Sequence, residues 1–331
     1  MGAKLDRCIA KLRLTLPMLG NLEGGQGCLE ELQKDIKEIK ETLKEEILRV
    51  LHDCPPAQEF GQSVIKRYGW EQLWFRSLSF WFLFYLAWLW LKFGYKPESA
   101  DLERLFKSWV YGSFGYRLID LFFDESGVDQ QEAVIGLWLI SEHEFEVLQL
   151  FEASPNAVVH VRKAKTEWFR AEVQEKRLRG KRCPYSDPLN CAEKAAPIFA
   201  FFSLALLRYG KSREIPLYRD LVYKLIAVTQ LLDDLSDLED DLSHGFFTIP
   251  CSGLEECLSQ LSPAEGAELI RHDGERMKDL YILCSNFLES ASQLAQQVAD
   301  PLFEALAQHK LWLITKIFYG EEESDEEQGG R

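Results

Sequence analysis

Apolar residues recur at intervals of three and four along nearly the whole chain, and alternating strand patterns are almost absent. That period commits the chain to packed helices, each burying one stripe of its surface. It predicts helices over 30–52, 60–93, 101–124, 129–152, 157–180, 188–209, 214–244, 263–299 and 301–319. Local signals mark some ends. Cys54-Pro55-Pro56 closes the first helix. Ser262 and Glu265 make a capping box, with Pro263 at the first helical position. The 331 residues are 47% hydrophobic, which is enough for one large core. The organisation expected is an amphipathic segment over 1–54 packed on the core, an all-α domain over 55–320, and a disordered tail over 321–331. The tail reads EEESDEEQGGR, six acids to one base.

The net charge of −15 argues against nucleic acid as the main partner, because the phosphate backbone attracts basic surfaces. The same charge disfavours an anionic membrane in that role. Eight cysteines are scattered with no Cys-x-x-Cys pair, so neither a zinc site nor a disulfide framework is indicated, and a reducing cytoplasm is the expected compartment. Lys11 and Arg13 interrupt the apolar stretch at the start, unlike a secretory signal.

Residues 77–91, SLSFWFLFYLAWLWL, carry no charge and stand between Arg76 and Lys92. Fifteen residues fall short of the roughly 20 that a membrane span needs, so a central core helix is the first reading. Seven of the fifteen are aromatic. Aromatic faces attract cations, so a second reading makes Phe80, Trp81, Phe82, Phe84, Tyr85, Trp88 and Trp90 the wall of a pocket for a long apolar substrate that becomes cationic. Peripheral membrane contact is a third reading.

Chemistry concentrates near residue 235. Residues 230–250 read QLLDDLSDLEDDLSHGFFTIP. On one continuous helix, Asp233, Asp234, Asp237, Asp240 and Asp241 share a face, while Leu231, Leu235, Leu238 and Leu242 keep the same period opposite. No Lys or Arg lies in the run to relieve the repulsion. Hard divalent cations such as Mg²⁺, which take oxygen ligands and share them with phosphates, would relieve it. Charge runs are more often solvated helix faces, but those interleave signs and this one does not. Upstream, YRLIDLFFDE places Asp120 and Asp124 four apart on a largely apolar helix. Alone they read as salt-bridge partners, for instance of Arg117 or Arg162. Together with the downstream run they read as a second carboxylate-bearing helix facing the first across a cavity. Lys194 sits among small and apolar residues in NCAEKAAPIFAFF, either snorkelling to the surface or contacting a phosphate. The cluster Lys176, Arg177, Arg179, Lys181 and Arg182 reads as a solvated helix end or part of an anion site.

These residues resemble a family. QLLDDLSD at 230–237 is similar to the second aspartate-rich motif, Q-x-x-D-D-x-x-D, of trans-isoprenyl diphosphate synthases, and the following DLSHGFFTIP resembles D-L-x-x-G-K-x-T-L-P. Lys194, 36 residues before Gln230, is placed like the lysine of that family's Lys-Thr pair. DLFFD at 120–124 resembles the D-x-x-x-D form of the first motif, as in squalene and phytoene synthases. The resemblance spans about 60–320 and implies the all-α isoprenoid-synthase fold, a bundle of about nine or ten helices around a central cavity. It implies class I chemistry on a prenyl diphosphate substrate with three Mg²⁺ ions. Asp120, Asp124, Asp233, Asp234 and Asp237 would be the catalytic metal ligands. Lys194 would bind the diphosphate, and Gln230 would support the second motif. Asp240 and Asp241 would stand just behind the ligands.

The sequence departs from the motifs in its cations. Ile119 precedes Asp120, no Arg-Arg pair follows Asp124, Lys66-Arg67-Tyr68 only loosely echoes the expected Gly-Lys-Arg, and Phe246 stands where a lysine follows the glycine. Each missing cation would have held a phosphate. An enzyme that ionises one prenyl diphosphate suffers least, so the reading is a terpene cyclase-like isoprenoid synthase. The cyclase pattern Asn-x-x-x-Ser-x-x-x-Glu is nevertheless missing too. The alternatives are a prenyltransferase, chain-elongating or head-to-head, and a non-catalytic lipid-binding or partner subunit. The amphipathic 30–52 helix leaves a homodimer or another partner chain open.

Overall fold

The structure is a computed structural model that describes residues 45, 47–50, 78–124, 130–152, 154–185 and 187–319. Most of the helices expected over 30–52 and 60–93, and the acidic tail, lie outside the described residues. Residues 45 and 47–50 are helical, with Ile47 and Val50 buried.

Among the described residues all regular structure is helical. The α-helices are α1 (Leu78–Phe93), α2 (Ser99–Asp124), α3 (Gln130–Leu150), α4 (Pro155–Leu178), α5 (Ala196–Arg208) and α6 (Ile215–Ser236), then α7 (Leu238–Ser243), α8 (Glu255–Leu258), α9 (Pro263–His272), α10 (Gly274–Gln297) and α11 (Pro301–Tyr319). Short 3₁₀ turns lie at Pro188–Ala195, Ser212–Glu214 and Ile249–Cys251. Three long helices read from periodicity are each divided. The 188–209 stretch opens as a 3₁₀ segment, where Asp187 accepts from the Leu189 backbone N–H at 3.0 Å and Pro188 leads. The 263–299 stretch breaks at Asp273, whose carboxylate caps α10 by accepting from the Arg276 N–H at 3.1 Å. The 214–244 stretch breaks at Asp237, inside the motif itself. The capping box at α9 is formed: the Ser262 N–H donates to the Glu265 carboxylate at 3.0 Å, and the Glu265 N–H donates to Ser262 Oγ at 3.4 Å.

The chain divides into two compact units. The first runs to Ala164 and includes Ala200–Ser212; the second comprises Lys165–Phe199 and the chain from Arg213 onward.

In the first unit α1 is the core helix. Trp81 through Leu89 are all buried, because a helix apolar on every side has no face to give to water. Its rings pack edge-on: Phe82 lies 5.4 Å from Phe106 and 5.3 Å from Trp109, and Trp88 lies 5.0 Å from Phe202. These rings belong to the core, and Tyr85 also lines a small pocket with Leu89, Tyr95 and Arg208. The apolar helix Trp81–Phe93 is also shorter than a membrane span. Helices α2 and α3 cross in contact because glycines let their backbones approach. A Cβ on Gly115 would lie 2.8 Å from the Gly136 carbonyl and 2.9 Å from the Ile140 backbone nitrogen. Alongside, the buried His143 donates from Nδ1 to the Ser108 carbonyl at 2.8 Å.

In the second unit α6 packs on α10 and on the Pro188–Ala195 segment, α10 on α11, and α7 on α9. Tyr218, wholly buried on α6, donates to Asp300, whose other oxygen accepts from the Phe303 N–H at 3.3 Å and so caps α11. Leu238, Phe247, Cys251, Leu258, Ala267 and Ile270 form a small core beneath α7.

Because the obstacle at Gly115 is backbone, it cannot rotate away. Gly115→Ala should destabilise the protein by about 1–3 kcal/mol, read as a lower urea midpoint at unchanged slope. An unchanged midpoint would show that the helices separate freely.

Candidate acidic site

The site of the second unit begins with the buried stripe of α6. Ala227 and Leu231 are buried, and Asp234 occupies the next place on that stripe, 5% exposed. An isolated carboxylate there would be costly, and Gln230 one turn below donates from Nε2 to Asp234 Oδ1 at 2.8 Å. Asp233 and Asp237 flank it in solvent.

At Asp237 the helix is interrupted. Ser236 Oγ sits 2.9 Å from the Asp233 carbonyl and 3.0 Å from Asp237 Oδ1, so a side chain competes for a helical acceptor. Helix α7 restarts at once, and the Asp241 N–H reaches the Asp237 carbonyl at 2.9 Å. The break re-aims the second half of the run. Leu238 turns into the small core, Asp240 faces solvent, and Asp241 is half-buried. The five carboxylates thus differ in burial, while Asp241 still feels the charges of Asp234, Asp237 and Asp240.

The facing wall is α4, whose Glu172 and Glu175 were not among the site residues read from the sequence. Lys194 Nζ lies 2.7 Å from Glu175 Oε2 and 3.5 Å from Glu172 Oε1, and Glu172 is fully buried. Tyr185 donates to the other Glu175 oxygen at 3.0 Å. Lys194 thus neither snorkels freely nor stands alone; two carboxylates and a phenol fix its position, with a quarter of the side chain still exposed. Glu172 and Glu175 lie three apart in RAEVQEKRL, a helical spacing visible in sequence, but nothing there says which lysine they face.

Negative charge dominates the centre. Burial pushes the Asp234 carboxyl up to about 7, with Glu175 and Asp233 adding to the rise and Gln230 and Lys194 opposing it. Burial likewise pushes Asp241 up to about 8, reinforced by Asp234, Asp237, Asp240 and Glu175. Nearby thiols are inert: burial raises Cys183 to about 11 and Cys251 to about 12.

Among the described residues no three His, Cys, Asp or Glu side chains already converge as a metal-binding group. Mg²⁺ does not require that, since it commonly takes one or two carboxylates and fills its octahedron with water and phosphate oxygens. The donors here are all hard oxygens. Burial does most to raise their pKa values, and like charge, which a divalent ion would relieve, adds to the rise. The residues fit the ion.

Asp120 and Asp124 belong to the first unit. Asp120 pairs with Arg117 at 2.5 Å, the salt bridge that its apolar surroundings call for. Asp124 ends α2, and its side chain lies outside the described residues.

No protein-family model matches the chain, and no curated protein matches it. Among solved structures the chain is similar to the octaprenyl pyrophosphate synthase of Helicobacter pylori. Identity is 15%, the match covers 82% of this chain and 98% of that one, and the TM-score is 0.59. The fold is therefore the all-α isoprenyl-synthase type. Eleven α-helices stand among the described residues where about nine or ten were expected, because long predicted helices are divided at caps.

Asp234 and Asp241 hold their protons more tightly in the fold than in the unfolded chain, where aspartate titrates near 4. Stability from these groups is complete below about pH 4 and is lost as pH rises through about 7 and 8. In a chelator the thermal midpoint should fall from pH 5 to pH 8 more steeply for the native chain than for Asp241→Asn, and added Mg²⁺ should raise it most at pH 8. Identical slopes for the two proteins would contradict the assignment.

Proposed function

We propose that this chain is a Mg²⁺-dependent prenyltransferase, acting on an allylic prenyl diphosphate through the acidic site of the second unit. The observation that carries the reading is Asp234: a carboxyl buried on the fold of a prenyl pyrophosphate synthase, inside a Q-x-x-D-D-x-x-D motif, held by Gln230 and facing Lys194 across Glu175. The solved neighbour supports prenyl transfer more than the cyclase reading.

Mg²⁺, when bound, supplies a Lewis acid that stabilises the negative charge gathered on departing diphosphate. Asp233 and Asp237 present carboxylate oxygens at the solvent edge. Asp234 offers one more once its proton is gone, and Gln230 keeps it oriented. Lys194, aimed by Glu172 and Glu175, brings a fixed cation to the same charge. Departure of diphosphate with its electron pair leaves an allylic cation, which the double bond of a second prenyl unit attacks; the cation so formed on the second unit then loses a proton to the departed diphosphate, giving a new double bond. The cavity that would shield such a cation comes to this chain by resemblance.

A cyclase remains the second reading on one observation: three cations that would hold phosphate are absent, Phe246 standing for a lysine and SGVDQQ for an Arg pair. Incubation with C10 to C20 allylic diphosphates and Mg²⁺ separates the two. Diphosphate release that requires isopentenyl diphosphate supports transfer, and release without it supports cyclisation. Asp234→Asn should lower kcat/KM by about 10²–10³-fold, the scale of losing one group that stabilises transition-state charge. No release under any condition would refute both.

A further inference from the structure

We infer that Lys176 and Arg179, gathered on the ring of Phe246, are the site's additional diphosphate-contacting cations; this rests on the proposed prenyl diphosphate reading. Glu172, Glu175 and Lys176 lie at helical spacings on one face of α4, and Arg179 is the first residue of the turn that follows it. The first two hold Lys194. One turn further, the same face meets the end of the aspartate run. Lys176 Nζ stands 5.0 Å and Arg179 Cζ 4.2 Å from the centre of the Phe246 ring.

The junction is fastened through the backbone. Arg179 Nε donates to the His244 carbonyl at 2.8 Å, and the Gly180 N–H donates to the Gly245 carbonyl at 2.7 Å. Gly245 turns there at φ +76, a conformation that favours glycine, and the Phe246 N–H returns to the Asp241 carbonyl at 2.8 Å. Two cations are thus fixed on a turn that starts at Asp241. Basic residues near a helix C-terminus are ordinary stabilisers of the helix dipole. These two also converge on one ring, whose electron-rich face attracts cations.

Position 246 is where the resembling motif carries a lysine. A ring there removes one cation and collects two, Lys176 from the last turn of α4 and Arg179 from just past its end. Two fixed cations beside hard-oxygen metal ligands suit a diphosphate that spans metal ions and protein, with Arg179 able to bind phosphate through a planar fork.

The test is calorimetric titration of the full chain with inorganic pyrophosphate at saturating Mg²⁺, with circular dichroism as the folding control. The double variant K176Q/R179Q should bind at least about tenfold more weakly, with a shallower dependence on salt. Adding F246K to it should restore much of the affinity, which a merely structural role for the two residues would not allow. Should the double variant misfold, the single variants K176Q and R179Q each carry the same expectation at about threefold. Native-like binding by the variants, with binding lost in Asp234→Asn, would overturn this inference and leave the prenyl diphosphate reading standing. A native chain that binds no pyrophosphate with Mg²⁺ would overturn both.

Discussion

The contact on which the second unit's site depends is the ion pair of Lys194 with Glu175 and Glu172. Removing charges from water is costly, and breaking such a pair strands the partner left behind. Here the pair ties the Pro188–Ala195 segment to α4, whose next turn meets the aspartate run. Glu175 has two electrostatic effects. It neutralises Lys194, and its remaining field raises Asp234 and Asp241. The site so arranged is short of positive charge where its carboxyls are most buried, the condition under which divalent cations bind and protons leave.

Interruption of the helix at Asp237 follows the same logic. Asp234 is buried within α6 and Asp233 is exposed beside it; past the break Leu238 enters a small core, Asp241 is half-buried and Asp237 stays in solvent. Two kinds of acid result from one motif: exposed ones, open to solvent, and enclosed ones whose ionisation depends on what is bound.

Much of this was legible in the chain. Helical period identified the fold class, and Ser262-Pro263-x-Glu265 located a helix start to the residue, because a cap is a local device. The breaks were less legible. Asp273-Gly274 carried a cap signal inside an apolar pattern that ran on past it, and Ser236 sits where a helix tolerates serine unless its hydroxyl turns inward. Gln230 and Asp234 are four apart, so their contact follows from helical geometry. Glu172 and Glu175 could not be found that way. Their partner lies about twenty residues on, and which charge meets which is decided by packing. The aromatic run at 80–90 shows the converse. Composition allowed core or pocket wall, and only its neighbours, Phe106, Trp109 and Phe202, decide for core.

The most direct measurement is a carboxyl-carbon NMR titration of aspartate-labelled protein, first in chelator and then with Mg²⁺ and pyrophosphate. Two aspartates should titrate near 7 and 8 in the metal-free protein, vanish from that range in Asp234→Asn and Asp241→Asn respectively, and move below about 5 once the ions bind. Aspartates that all titrate near 4 and ignore Mg²⁺ and pyrophosphate would contradict the account at its centre.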